Sequence, residues 1–189
     1  MSHGTLTVVT GCMSCGKSEE LIRRLRRAVI AKQPVAVFKP ALDTRTDAVT
    51  VASRDGRSFQ ARAVARPTEI LEAAEGMAVI GIDEAQFFEE PLVDVCQKII
   101  ARNGTRVIAA GLDTDFRGEP FETVARLLAV ADEVVKLTAI CVRCGSQYAR
   151  HSQRLIAGRP APYDAPRIMV GGDELYEPRC RDCFEINKP

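Results

Sequence analysis

The chain has 189 residues, of which 46% are hydrophobic and 27% are charged, and its formal net charge is +1. That length supports one good core with a small appended module. The near-neutral charge argues against a nucleic-acid partner, because neutralising many phosphates requires a clear surplus of Lys and Arg. No stretch approaches the roughly 18 apolar residues of a membrane span, so we expect a cytoplasmic protein that does not bind membranes.

The N-terminal part of the chain alternates between apolar strands and helices. The run TLTVVTG predicts a strand, and PVAVFKP predicts a second one. The polar segment from 41 to 65 predicts a loop and a hairpin that turns at Asp55-Gly56, outside the core. Between the two strands, KSEELIRRLRRAVIAKQ predicts a helix whose apolar face carries Leu21, Ile22, Leu25, Ala28 and Val29.

The same alternation continues to about residue 140. PTEILEAAEG predicts a helix that Gly76 ends, and MAVIGIDEAQFF predicts a strand that ends at Asp83. Two further helix and strand pairs follow: EPLVDVCQKIIARNG with TRVIAAGLDTDF, and PFETVARLLAVA with DEVVKLTAI. The strand TRVIAAGLDTDF is predicted to leave its sheet near Gly111. This order predicts an α/β fold, with a mainly parallel sheet covered by helices on both faces.

A glycine-rich motif lies between the first strand and the first helix. Gly11, four residues and then Gly16-Lys17-Ser18 fit the phosphate-loop pattern G-x-x-x-x-G-K-[ST]. Glycines let backbone N–H groups surround phosphates, a lysine adds positive charge, and Ser18 can ligate Mg²⁺. The alternative is a glycine turn that precedes a surface lysine by chance. The strand and helix on either side favour ATP binding.

Two acidic residues follow the strand AVIGI. Asp83 is placed to hold Mg²⁺, because a phosphate loop requires a carboxylate at the end of a neighbouring strand. Glu84 comes next and could take a proton from a hydroxyl nucleophile. The alternative is that Asp83 caps the next helix and Glu84 is solvated.

Seven cysteines are present, and four of them form two C-x-x-C pairs near the C-terminus. Cys141 with Cys144, and Cys180 with Cys183, predict a closed tetrahedral zinc site that is structural rather than catalytic. A redox pair or a zinc ribbon that reads nucleic acid are the alternatives. The change in composition at Cys141 predicts two domains, 1–140 and 141–189. We interpret Cys12 and Cys15 as loop residues, with redox sensitivity as the alternative.

These motifs together resemble the thymidine kinases of the family that includes bacterial enzymes and the cytosolic vertebrate enzyme. The resemblance rests on GCMSCGKS, KPALDTR, IDEAQFF, AGLDTDFRGEPF, VKLTAICVRCG, SQRL and VGGDELYEPRCRDC, in that order. It implies a RecA-like, P-loop NTPase-type domain for ATP at 1–140 and a zinc-stapled lasso domain at 141–189 that closes over the nucleoside. The implied reaction transfers the γ-phosphate of ATP to the 5′-hydroxyl of thymidine, giving dTMP and ADP in nucleotide salvage.

The resemblance also implies roles for individual residues. Glu84 matches the catalytic base of the family. ATP would contact the phosphate loop and the segment after Asp83: Gly11, Cys12, Met13, Ser14, Cys15, Gly16, Lys17, Ser18, Asp83, Glu84, Ala85 and Gln86. The nucleoside would contact a second set, in which backbone groups of 167–171 read the base edge: Met13, Asp43, Arg45, Phe87, Leu112, Phe116, Phe121, Ser152, Arg167, Ile168, Met169, Val170, Gly171 and Tyr176.

Two further properties are implied by the resemblance alone, namely a homotetramer and feedback inhibition by dTTP. The chain departs from the usual family loop G-P-M-F-S-G-K at Cys12, Ser14 and Cys15, and Ser152 replaces a common threonine. Without the resemblance, the phenylalanines would be interpreted as core residues. Alternative functions are a kinase of deoxyuridine or another nucleoside, and an ATP-driven nucleic-acid or regulatory module.

Overall fold

A six-stranded parallel sheet forms the centre of the molecule. The computed structural model describes residues 3–42, 50–52, 58–89, 91–168 and 175–188. The strands of the first part are β1 (Thr5–Thr10), β2 (Val35–Pro40), β3 (Thr50–Ala52), β4 (Ser58–Gln60), β5 (Arg62–Val64), β6 (Val79–Ile82), β7 (Arg106–Gly111) and β8 (Glu133–Lys136). The central sheet has the order β5-β2-β6-β7-β1-β8, and each of its five pairings is parallel. The predicted α/β architecture is therefore confirmed.

Helices cover both faces of this sheet. They are α1 (Lys17–Ile30), α2 (Pro67–Ala73), α3 (Pro91–Asn103) and α4 (Glu122–Val130). Successive strand residues alternate between the faces, so Ile108 packs in the cluster that contains Leu21 and Leu25 of α1. Val107 packs in the other cluster, with the buried faces of α2, α3 and α4. The continuous apolar runs of the strands reflect this double coverage.

Helix α1 confirms most of the predicted apolar face but not all of it. Leu21, Ile22, Leu25 and Ala28 are buried, whereas Val29 is 50% exposed. Periodicity places Val29 at the correct angle about the helix axis, but it does not reveal how far along its length the helix is covered. In its last turn Val29 lines a surface hollow together with Phe59.

The segment from 41 to 65 is less peripheral than we predicted. β3 and β4 pair antiparallel, which confirms the hairpin, although its turn at Asp55-Gly56 lies outside the described residues. β5 then joins the edge of the central sheet beside β2. Val51, Ala61 and Val64 are all buried, so the expectation that this segment lies outside the core was wrong. The sequence did not reveal these buried residues, because polar residues separate them along the chain.

The C-terminal region is held by a small antiparallel sheet. Its strands are β9 (His151–Ile156), β10 (Arg159–Pro160) and β11 (Tyr176–Arg179), with β9 in the centre. We did not predict these strands, because β10 and β11 are short and β9 is mostly polar, so none has the apolar run that identified the central strands. In the part of the chain that the structure describes, no helix has the length and apolar character needed to cross a membrane.

Candidate active site

The phosphate loop has the backbone geometry that its glycines permit. Gly11 has φ +141 and Gly16 has φ +89, in a region that side-chain-bearing residues rarely adopt. A Cβ atom at Gly11 would lie 2.4 Å from the Leu137 carbonyl oxygen and 2.8 Å from the Cys15 sulfur. Lys17 Nζ donates to the Cys12 carbonyl oxygen across 2.7 Å. The lysine therefore folds back over the loop in which phosphates would be bound.

The loop is joined directly to the acidic end of β6. Ser18 Oγ donates a hydrogen bond of 3.1 Å to Asp83 Oδ2, and the backbone N–H of Glu84 donates to Asp83 Oδ1 across 3.0 Å. Burial and the nearby charge of Glu84 raise the pKa of Asp83 to about 7. The structure therefore brings together Ser18 and Asp83, the two residues that we predicted to lie near Mg²⁺. A cation placed beside them would favour the ionised carboxylate.

Glu84 occupies a conformation that is uncommon for a residue with a side chain. Its φ of 51 and ψ of 42 are left-handed, and the short 3-10 helix Ala85–Phe87 follows it. Gln86 Nε2 donates to the Glu84 carboxylate, and Gln86 Oε1 accepts the backbone N–H of Leu112 across 3.0 Å. Gln86 therefore ties the Glu84 carboxylate to the end of β7.

A small apolar cluster lies next to the loop. It contains buried Met13, Phe116, Ala161 and Tyr176, with partly buried Leu112, Ala165 and Leu175 packed against them. The Ser152 hydroxyl accepts the backbone N–H of Met13 across 3.0 Å. The structure thus brings together five residues that we predicted to contact the nucleoside: Met13, Leu112, Phe116, Ser152 and Tyr176.

The remaining predicted nucleoside residues are distributed differently. Phe121 belongs to the main core cluster beneath the sheet, and the Arg167 guanidinium lies 4.9 Å from its ring centroid. Phe87 is partly buried in the 3-10 helix, and Ile168 is exposed. Their roles stay predictions. Five other predicted residues lie outside the described residues: Asp43, Arg45, Met169, Val170 and Gly171.

The four C-terminal cysteines converge as the spacing predicted. The sulfur atoms of Cys141, Cys144, Cys180 and Cys183 all lie within 4.8 Å of one another. In a tetrahedral site with Zn–S bonds of about 2.3 Å, sulfur atoms are about 3.8 Å apart. Against the opposing effect of burial, backbone N–H groups of Cys180, Cys144 and Arg143 lower the pKa of Cys141 to about 6. The four thiols are therefore positioned to bind a metal ion.

The two loop cysteines lie close to this metal-binding group but are separate from it. Cys12 is buried in a cluster that includes Cys141, Cys180 and Ala149, and partly buried Cys15 packs against the same cluster. A hydrogen bond from Cys12 and the positive charge of Lys17 lower the pKa of Cys15 to about 6, although burial opposes them. The pKa of Cys12 is raised in turn. Cys15 is therefore the thiolate of the pair near neutral pH.

Three polar residues around the cluster were not assigned a role from the sequence. Asp115 is 3% exposed and Arg154 is fully buried, while Arg117 is partly buried. The segments DTDFRG and SQRL contain all three, but a sequence does not distinguish a buried arginine from a solvated one. Buried charges are rare without partners, and these residues form hydrogen bonds with the segments that surround the apolar cluster.

Comparisons with known proteins assign the family. The thymidine kinase family model matches residues 4–184. A curated protein named thymidine kinase, from Coprothermobacter proteolyticus, is 59% identical over 183 residues, which are 97% of this chain and 91% of that protein. The chain belongs to the thymidine kinase family. As a member of the thymidine kinase family it is a nucleoside kinase, a class of phosphotransferase.

Structural similarity adds little to this assignment. The flagellar accessory protein FlaH from Methanocaldococcus jannaschii matches 72% of this chain and 72% of its own, with a TM-score of 0.49 and 13% identity. At that level the likeness carries no inference for this member of the thymidine kinase family. The family is assigned by sequence along nearly the whole chain.

Proposed function

We propose that this chain transfers the γ-phosphate of ATP to the 5′-hydroxyl of thymidine, producing dTMP and ADP. The observation that carries this proposal is the position of Glu84. Glu84 follows Asp83, which accepts a hydrogen bond from the phosphate-loop residue Ser18. Its carboxylate also accepts a hydrogen bond from Gln86, and Gln86 in turn accepts the backbone N–H of Leu112, which packs against the apolar cluster. Glu84 therefore connects the loop suited to phosphates with the cluster suited to a nucleoside.

Glu84 is proposed to accept the proton of the 5′-hydroxyl. As that O–H bond breaks, the 5′-oxygen forms a bond to the γ-phosphorus, the bond from the γ-phosphorus to the bridging oxygen breaks, and ADP departs with that oxygen. Positioning dominates phosphoryl transfer, so a fixed carboxylate is more useful than a mobile one. The hydrogen bond from Gln86 and the restricted backbone of Glu84 supply that fixation.

The phosphate loop is proposed to hold ATP through Gly11, Cys12, Met13, Ser14, Cys15, Gly16, Lys17 and Ser18, with Asp83 to Gln86 as the second nucleotide segment. Lys17 already lies over the loop, and the N-terminus of α1 favours negative charge. Ser18 and Asp83 offer the oxygen ligands that Mg²⁺ prefers. When bound, that ion would supply positive charge to the phosphate oxygens.

Thymidine is proposed to lie against Met13, Leu112, Phe116, Ser152 and Tyr176. Apolar walls with a few fixed polar groups suit a small flat base. Further contacts with Phe87, Phe121, Arg167 and Ile168, and with Asp43, Arg45 and 169–171 outside the described residues, remain proposals that rest on family resemblance. So does the division into an ATP domain at 1–140 and a lasso domain at 141–189.

The ion held by the four C-terminal cysteines is proposed to be Zn²⁺, one per chain. Four sulfur ligands leave no open coordination position, so its role would be structural. Seven cysteines without a disulfide suit a reducing compartment, and we propose the cytoplasm. Homotetramer formation and feedback inhibition by dTTP follow from the family resemblance alone, and size-exclusion chromatography and an inhibition assay would test them.

The decisive experiment is a phosphorylation assay with radiolabelled ATP and a panel of nucleosides. We expect labelled dTMP as the main product, with deoxyuridine as the informative competitor because it lacks only the 5-methyl group. Phosphorylation of another nucleoside in preference to thymidine would correct the substrate. ATP hydrolysis that rises with single-stranded DNA, without nucleoside phosphorylation, would instead favour a nucleic-acid module.

A further inference from the structure

Two arginines enclose the ring of Phe116. The guanidinium carbon of Arg117 lies 5.1 Å from the ring centroid, and that of Arg154 lies at the same distance. Arg154 comes from β9 and is fully buried, whereas Arg117 comes from the loop after β7 and is partly buried. Arginine lies favourably over aromatic faces because its planar cation is attracted to the ring electrons. One aromatic ring of the apolar cluster is thus held by two separate segments.

The same two arginines bind consecutive carbonyl groups. Arg117 donates to the Ala165 carbonyl oxygen across 2.7 Å, and Arg154 donates to the Pro166 carbonyl oxygen across 2.6 Å. Pro166 has no backbone N–H to donate, whereas the backbone N–H of Ala165 donates to the Pro162 carbonyl oxygen across 3.1 Å. Donors with a permanent charge make the stronger class of hydrogen bond to carbonyl oxygen. The two arginine side chains therefore add to the backbone hydrogen bond of Ala165 in holding this segment.

Arg167, the next residue in the chain, is also anchored to the loop after β7. Arg167 Nε donates to buried Asp115 Oδ2 across 2.9 Å. The other oxygen of Asp115 accepts the backbone N–H groups of Arg117 and Glu119, at 2.9 and 3.0 Å. Three consecutive residues, 165 to 167, are consequently fixed to the loop after β7 and to β9.

We propose that Arg117 and Arg154 are positioning residues for the nucleoside: they clamp Ala165 and Pro166, and so hold Ala165 against the apolar cluster of Phe116 that is proposed to contact thymidine. This inference rests on the proposed function. The wall of a pocket binds a flat base more tightly when its position is set before the base arrives, since ordering a segment on binding lowers affinity. Neither arginine needs to touch the base for nucleoside affinity to depend on it.

The clamp predicts that losing either arginine weakens the binding of thymidine but not the binding of ATP. Its contacts connect residues 115–117, 154 and 165–167, whereas Lys17 and Ser18 of the phosphate loop are hydrogen-bonded to Cys12 and Asp83. Met13 of the loop packs in the same apolar cluster as Phe116, on the side proposed to contact the nucleoside. Losing a charged donor to a part-buried carbonyl oxygen corresponds to a roughly tenfold change in affinity. We expect that change in the KM for thymidine, with the KM for ATP and kcat within about twofold of wild type.

The test compares Arg117→Met, Arg154→Met and the control Arg159→Met, an exposed arginine on β10 of the same small sheet. For each full-length protein, kcat and both KM values are measured, and thymidine affinity is measured by calorimetry without ATP. Circular dichroism and zinc content verify folding. Arg117→Lys is expected to recover part of the thymidine affinity, because it keeps the charge and one donor.

An increase of about tenfold in the KM and Kd for thymidine alone would support the clamp. Wild-type thymidine affinity in Arg117→Met, or equal losses for thymidine and ATP, would overturn it while leaving the proposed function in place. Should the buried Arg154→Met variant fail to fold, Arg117→Met decides the outcome. A wild-type protein that neither binds nor phosphorylates thymidine would overturn the proposed function and the clamp together.

Discussion

Ser18 and Asp83 are joined by a hydrogen bond of 3.1 Å although 65 positions separate them in the chain. Ser18 lies in the first turn of helix α1 and Asp83 follows β6, so the hydrogen bond connects the phosphate loop to the acidic strand end. It brings together two groups suited to a divalent cation, and it places Glu84 beside them.

The raised pKa of Asp83 predicts that stability depends on pH in the absence of nucleotide. In the folded chain the pKa is about 7, whereas an unfolded aspartate titrates near 3.9. The contribution of protonated Asp83 is therefore complete below about pH 4 and is lost as pH rises to about 7. We expect stability to fall over this range by up to about 1.4 kcal/mol per pH unit from this group.

Urea unfolding at intervals from pH 4.5 to 8 measures this dependence. Asp83→Asn should reduce the slope, since it cannot ionise. Asp94→Asn, at an exposed position of α3, makes the same change in charge and should leave the slope unchanged. Identical slopes in all three proteins would show that Asp83 has an ordinary pKa.

Replacing Glu84 by Gln should remove the proton acceptor while keeping the size of the side chain. We expect kcat to fall by roughly a hundredfold or more, which is the usual contribution of a positioned base. The KM values for ATP and thymidine should change little, because binding does not require the negative charge. Steady-state kinetics measure both, with exposed Glu89→Gln as the matched control. A Glu84→Gln variant with wild-type kcat would eliminate the proton-acceptor role.

Removing one sulfur from the cysteine cluster should abolish stoichiometric metal binding. We expect one zinc per wild-type chain by elemental analysis, and less than that in Cys144→Ser. Losing a bound structural metal should cost about 3 kcal/mol or more, which corresponds to a fall in Tm of about 6 °C or more at this chain length. Cys96→Ala is the control, because Cys96 is buried away from the cluster and should leave the zinc content unchanged. Fully active wild-type protein without metal would contradict the zinc assignment.

Cys15 should react with iodoacetamide faster than an ordinary thiol. Its pKa of about 6 means that it is largely thiolate above pH 7, so the rate should rise between about pH 5 and 7 and then level off. Bound ATP should slow the reaction, because Cys15 lies in the loop proposed to hold phosphates. Peptide mass spectrometry locates the modified residue, and Cys15→Ala should lack the fast phase. A rate that ATP does not affect would indicate that the thiol lies away from the nucleotide.

Sequence patterns were sufficient for five of the six strands of the central sheet and for the metal-binding cysteines. Continuous apolar strands and amphipathic helices produce strong patterns, and their alternation around a phosphate loop predicts the parallel arrangement. The same patterns failed for β5 and for β9 to β11, since strands of two to six residues in polar surroundings leave weak signals. Val29 illustrates a third limit, because periodicity predicts direction about a helix axis but not coverage by neighbouring segments.

The sequence by itself determined the kind of chemistry: a phosphate loop, an acidic pair and four metal-binding thiols, because each depends on residue types at fixed short spacing. Only the tertiary structure decided how these parts meet. It placed Ser18 against Asp83, buried Cys12 beside the metal-binding group, and brought Arg117 and Arg154 to one aromatic ring. Contacts between residues far apart in sequence depend on packing, and no local pattern encodes which buried charge will find which carbonyl oxygen.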